Sequence, residues 1–124
     1  MLHALILGAE VECRIGNSVS PGHYARGWHI TSTCGVFGAA VASAKLLGLD
    51  AQQTWHAIGI AAGQSAGLIE NLPSAAKNVA VGNAARNGLF AALRRNRVTP
   101  PRLPRLRARS VGPVRWETIP WLSR

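Results

Sequence analysis

Aromatic and acidic side chains are scarce in this chain, and both shortages limit what it is. Phe, Trp and Tyr make up 6% of the 124 residues, so no core built around large rings is available. Much of the apolar content falls instead to Ala and Gly. Small side chains let helix backbones approach closely but bury little area each, at about 25 cal/mol per Å² of apolar surface. Such a core draws on many contacts over wide surfaces and calls for more neighbours than a short chain supplies. Two cysteines, Cys13 and Cys34, make no disulfide framework, and no residue spacing resembles a metal-ligand set. The longest uncharged apolar stretch, Cys34 to Ala44, falls well short of the ~20 residues of a membrane span. The apolar start has no basic residues before it and no small-residue cleavage site. A reduced, cytoplasmic location without a membrane partner is the expectation.

The charge is unevenly placed. Up to Leu93 the cations Arg14, Arg26, Lys45, Lys77 and Arg86 nearly balance Glu10, Glu12, Asp50 and Glu70. From Arg94 onward nine arginines face Glu117 alone, so most of the net charge of +9 belongs to the tail. There Pro100, Pro101, Pro104, Pro113 and Pro120 forbid a regular helix, and no apolar periodicity is present. The expected division is a body over residues 1–93 and a basic, Pro-rich, disordered tail over 94–124.

Within the body, periodicity predicts an all-α fold of about four helices. The first runs from Leu2 to Ile15 with Leu2, Leu5, Ile6, Ala9 and Cys13 on one face, and Gly16 as its stop. It starts with no cap before it, as if the chain began inside an element. Asn17 to Trp28 read as a loop. Thr31 or Ser32 caps a second helix that ends at Gly48. Asp50 with Gln53 is a capping-box start for a third, whose apolar face is Ala51, Trp55, Ile58 and Ala62 and which frays near Gly67. Glu70 to Ser74 form a loop, and a last helix covers Ala75 to Arg95, with Gly82 and Gly88 as weak points.

Two stretches stand out. One is Gly22-His23-Tyr24-Ala25-Arg26-Gly27-Trp28-His29-Ile30-Thr31-Ser32-Thr33-Cys34-Gly35, leading into an Ala-rich helix. The other is Asn71-Leu72-Pro73-Ser74-Ala75-Ala76-Lys77, followed by Gly82-Asn83-Ala84-Ala85-Arg86-Asn87-Gly88-Leu89, with Ala61 to Leu68 between the two. In this order, from about Leu2 to Leu93, they resemble the MmgE/PrpD family, which includes 2-methylcitrate dehydratase, cis-aconitate decarboxylase and iminodisuccinate epimerase. The resemblance implies a fragment of the helical domain of a larger two-domain enzyme, a homodimer when intact. Such lyases and isomerases act on small di- and tricarboxylates without a metal or organic cofactor. It implies that His29 and Lys77 are catalytic, and that His23, Tyr24 and Thr31 belong to the substrate-binding loop. Where many members have histidine three residues after the lysine, this chain has Ala80.

The chemistry suits these residue types. Removing a proton next to a carboxylate builds negative charge on an anion, which a lysine ammonium offsets strongly in a dry pocket. An imidazole with an ordinary pKa near ~6.5 gives or takes a proton at neutral pH. Without the surrounding pattern, His29 would read as a loop histidine and Lys77 as a solvated one. His56 reads as a packed or surface histidine and Cys34 as a small core residue. The glycines Gly35, Gly38, Gly63 and Gly67 read as close helix packing.

The missing portions of the larger enzyme lead to the expectation of little turnover from this chain alone. A complementing subunit that completes its site with another polypeptide is a third reading. The alternative from another class is a small basic binding module whose Arg-rich tail, with Trp116 and Trp121, contacts nucleic acid or another acidic surface. An aperiodic Arg/Pro tail after an abrupt break is instead what out-of-frame translation of a GC-rich gene gives, so nucleic-acid binding is not the favoured expectation.

Overall fold

A computed structural model describes residues 1–94, so the expectations for the tail beyond Arg94 lie outside the described residues. The body consists of α1 (Leu2–Val19), α2 (Gly22–Ala25), α3 (Ile30–Leu46), α4 (Ala51–Ala62), a single 3-10 turn (Ile69–Asn71) and α5 (Ala76–Arg94). The fold is all-α, with no strand among the described residues. Its four long helices match the expected number, and α2 is one extra turn inside the expected loop.

Helix α3 is the axis, with α1, α4 and α5 packed around it and α4 also touching α5. Its sequence explains the position. A helix apolar on every side is stable only when covered on every side, and α3 from Cys34 to Ala44 carries no charge. Val36 and Ala40 form the core with Ala61, Ala84 and Ala91, and Phe37 and Ile60 lean against it.

Glycines set the helix spacing at two crossings. A Cβ on Gly8 would lie 2.7 Å from the Gly38 carbonyl oxygen, and one on Gly38 would lie 2.9 Å from that of Gly8. Here α1 and α3 meet backbone to backbone. A Cβ on Gly88 would lie 2.6 Å from Ala40 N and 2.7 Å from Val36 O, so α5 seats on α3 in the same way. Gly88 is therefore a packing residue inside a continuous helix, not a weak point.

This close packing overturns the expected face of α1. Ala4, Gly8 and Gly16 are buried, whereas Leu2, Leu5 and Ile6 are exposed, Leu5 at 67%. Only the small residues permit the α1–α3 approach, so the large ones are turned away. The same logic corrects α4, where Ala57 and Ala61 are buried and Trp55 is 64% exposed. Gly16 sits within α1, which runs on to Val19, rather than ending it.

The Asp50–Gln53 capping box is present: Gln53 N donates to Asp50 Oδ1 at 2.7 Å and Asp50 N to Gln53 Oε1 at 3.2 Å. It satisfies two amides that the helix cannot pair internally. α4 ends at Ala62, short of Gly67. Neither Thr31 nor Ser32 caps α3. His29 occupies the cap position, and no side chain caps the helix.

Candidate functional site

Two short segments clamp the start of α3. The His29 amide donates to Gly67 O at 3.1 Å and the Ile69 amide to Gly27 O at 2.8 Å, around an antiparallel bridge between Trp28 and Leu68. Ser65 adds a third tie by donating its hydroxyl to Thr33 O at 2.7 Å. These ties hold His29 in extended backbone, from which α3 departs: its carbonyl accepts from the Ser32 and Thr33 amides.

The His29 side chain is buried, with 7% of its surface exposed. Its Nδ1 lies 2.8 Å from the hydroxyl of Ser32, which is also buried. A hydroxyl both donates and accepts, so Ser32 satisfies Nδ1 whether or not that nitrogen carries a proton. The pair thus fixes the ring and leaves Nε2 without a hydrogen bond among the described residues. A buried imidazole without such a partner would lose the free energy of an unmade hydrogen bond.

Gly67 makes room for the pair. It adopts φ +150°, and a Cβ there would lie 2.5 Å from Ser32 Cβ, 3.1 Å from Ser32 Oγ and 3.6 Å from His29 Cβ. The residue is thus a loop glycine facing the site rather than a helix-packing one.

A second histidine joins the same turn. His23 Nε2 lies 2.8 Å from Thr33 Oγ1, and its ring stacks on Trp28 with centroids 6.0 Å apart. The Thr33 hydroxyl donates to His29 O at 3.1 Å. It has one proton to give, so the tautomer of His23 decides whether that proton goes to the ring or to the backbone. Tyr24 and Thr31, the other expected binding residues, are exposed and make no side-chain hydrogen bond among the described residues.

Beside Ser32 opens a cleft of about 270 Å³ between the start of α3, the segment 64–71 and α5. Ser32, Gln64, Gly67, Asn71, Asn83 and Asn87 supply most of its wall, and no charged side chain lines it. His29 is one hydrogen bond behind this wall. Lys77 is exposed in the first turn of α5 and does not touch His29. Ala80, three residues on and hence on the same face of the helix, lines the cleft. Neither His29 nor Lys77 is itself among the residues that line the cleft.

Cys34, next to Thr33, takes no part in this arrangement. Burial pushes its thiol up from its ordinary value; the Thr33 hydroxyl partly opposes this, and the nearby Glu12 carboxylate adds a lesser push upward. A thiol held protonated is a poor nucleophile. Among the described residues no group of three or more His, Cys, Asp or Glu side chains is arranged to hold a metal ion. No described helix is long and apolar enough to cross a membrane.

The family model of the MmgE/PrpD N-terminal domain matches residues 1–97. The chain belongs to the MmgE/PrpD family. Among curated MmgE/PrpD relatives, the cis-aconitate decarboxylase-like protein oryM of Aspergillus oryzae is 43% identical over 94 residues, covering 74% of this chain and 20% of that protein. Cis-aconitate decarboxylase of Aspergillus terreus is 38% identical over 92 residues, covering 73% of this chain and 19% of that protein. The chain thus spans about a fifth of the length of these relatives.

Several residues of the site are not evident in the sequence. Ser32 reads there as a helix cap, and the three asparagines of the cleft, though they fall within the family-like stretches, are given no role of their own. The spacing of Asn83 and Asn87, four apart in an Ala-rich helix, is the signal that could have found two of them. Gly67 carries no such signal, because its role depends on a contact across 35 positions of chain.

Proposed function

We propose that this chain forms one wall of the active site of a cofactor-independent lyase or isomerase for small di- or tricarboxylates, with 2-methylcitrate and cis-aconitate as model substrates. The observation that carries this reading is the buried His29–Ser32 pair at the start of α3, whose hydroxyl lines a polar cleft. His29 moves the proton at the carbon next to a carboxylate, through Nε2. Lys77 approaches from α5 and offsets the charge that builds on the substrate. His23, held by Thr33 and Trp28, shapes the loop, and Tyr24 and Thr31 on its exposed side contact substrate. The MmgE/PrpD family match and the curated relatives support this choice of chemistry.

The wall on its own does not make a working site. Lys77 is in solvent, where its charge is worth little, and the described cleft carries no cation of its own. A preorganised site needs its groups held within about 0.5 Å. The remaining walls come from other parts of a full-length family fold, on the same polypeptide or another, in an enzyme that is a homodimer. A chimera tests this. Residues 1–93 replace the matching segment of the Aspergillus terreus decarboxylase, and turnover of cis-aconitate and of 2-methylcitrate is measured beside the 124-residue chain alone. The expected result is turnover by the chimera and little or none by the chain. Robust turnover by the isolated chain would overturn the incomplete-site reading, and an inactive but folded chimera would overturn the assigned chemistry.

A further inference from the structure

Asn83 and Asn87 stand one turn apart on α5, in a helix otherwise rich in alanine, and both are half-buried in the cleft wall. Asparagine is a weak helix former because its amide competes with the backbone. Neither residue uses that amide to support the helix. Asn83 makes no side-chain hydrogen bond among the described residues, and Asn87 Oδ1 receives only a long contact of 3.4 Å from Arg86 Nε. Across the cleft, the Asn71 side-chain amide likewise has no partner among the described residues, although its backbone carbonyl accepts the Ser74 hydroxyl and its backbone N–H donates to Leu68 O. Gln64 donates Nε2 to Ile60 O at 3.3 Å. Half-buried polar groups left without protein partners imply a polar occupant.

We propose that this cleft is a subsite for one carboxylate arm of the substrate, gripped by the side-chain amides of Asn83, Asn87 and Asn71. This rests on the reading of the chain as part of a carboxylate-processing enzyme. The lining decides the class of ligand. Its side-chain N–H groups donate to an anion, while among the described residues no carboxylate lines the wall to hold a metal ion or an amine. The absence of Arg and Lys from the same wall disfavours a phosphate dianion, which calls for charged donors. About 270 Å³ lies below the range of drug-sized pockets and suits a short acid arm. Ala80 keeps its end of the cleft open, because it projects only a methyl group there. An arm seated among these amides places the adjoining carbon beside Ser32 and so near His29.

The test uses the full 124-residue chain, labelled with 15N, and tricarballylate as an unreactive tricarboxylate probe. Salt at about 0.3 M suppresses binding to exposed arginines. The side-chain NH2 signals of Asn83 and Asn87 should shift saturably. Asn83→Asp, which keeps the shape but adds a repelling charge, and Ala80→Phe, which fills the cleft, should each weaken binding about tenfold or more while helicity is unchanged. Amide signals that do not move, or that move equally in both variants, would overturn the proposal. Equal response to the neutral triamide of the probe would overturn the carboxylate assignment. Shifts at His29 and Lys77 without shifts at the asparagines would sink the subsite and leave the proposed chemistry standing.

Discussion

His29 Nδ1 and Ser32 Oγ lie 2.8 Å apart in the first turn of α3, and both side chains are buried. The contact links a residue singled out by the family pattern to one the pattern does not single out. It also gives the imidazole a fixed orientation, which the proposed role of His29 as a general acid or base requires.

Replacing Ser32 with Ala leaves His29 Nδ1 buried without its partner. The expected loss of stability is about 1–3 kcal/mol. Denaturant midpoints of the two chains measure it, and Ser32→Thr should recover part of the loss. No change on Ser32→Ala would show that Nδ1 has another partner.

One substitution at two positions of α5 should act with opposite sign. A Cβ on Gly82 meets nothing within 4 Å, so Gly82→Ala should stabilise the helix by about 0.5–1 kcal/mol. A Cβ on Gly88 meets Ala40 N at 2.6 Å and Val36 O at 2.7 Å, backbone atoms that cannot turn aside. Gly88→Ala should therefore destabilise by about 1–3 kcal/mol despite the better helix former. Thermal melting of both variants against the parent chain gives the two signs directly.

The two thiols should separate cleanly. Cys13 is exposed and Cys34 buried, so Ellman's reagent should label Cys13 in the native chain and Cys34 only after unfolding. Burial raises the Cys34 thiol in the folded chain, so the unfolded chain releases that proton first as the pH climbs. The contribution to stability is complete below the unfolded thiol value and is lost as the pH rises through the folded one. Cys34→Ala should remove this alkaline loss. Denaturant midpoints taken at about pH 8 and about pH 10 decide it.

Much of the architecture is legible in the sequence because it rests on local signals. The Asp50–Gln53 box, the loop around Pro73 and the uncharged run Cys34 to Ala44 of α3 all act within a few residues, and each is found as expected. The faces of α1 and α4 are not legible. Periodicity marks where large apolar residues fall, whereas α1 is seated where Gly8 and Gly38 let backbones meet, and α4 buries its small residues Ala57 and Ala61. The site divides in the same way. His29 and His23 draw notice because they lie in one compact stretch, and the structure brings both to the start of α3. Ser32, Gly67 and the asparagines of the cleft take their roles from contacts between α3, the segment 64–71 and α5, which no single stretch of sequence displays.

Turnover of cis-aconitate by the decarboxylase chimera carrying His29→Asn or Lys77→Met, set beside His56→Gln as a remote control, tests the central claim most directly. The predicted result is a fall of about 10²–10⁴-fold for His29→Asn, a comparably severe fall for Lys77→Met, and parental rates for His56→Gln. Chimeras that turn over at parental rates without the imidazole of His29 or the ammonium of Lys77 would contradict the account.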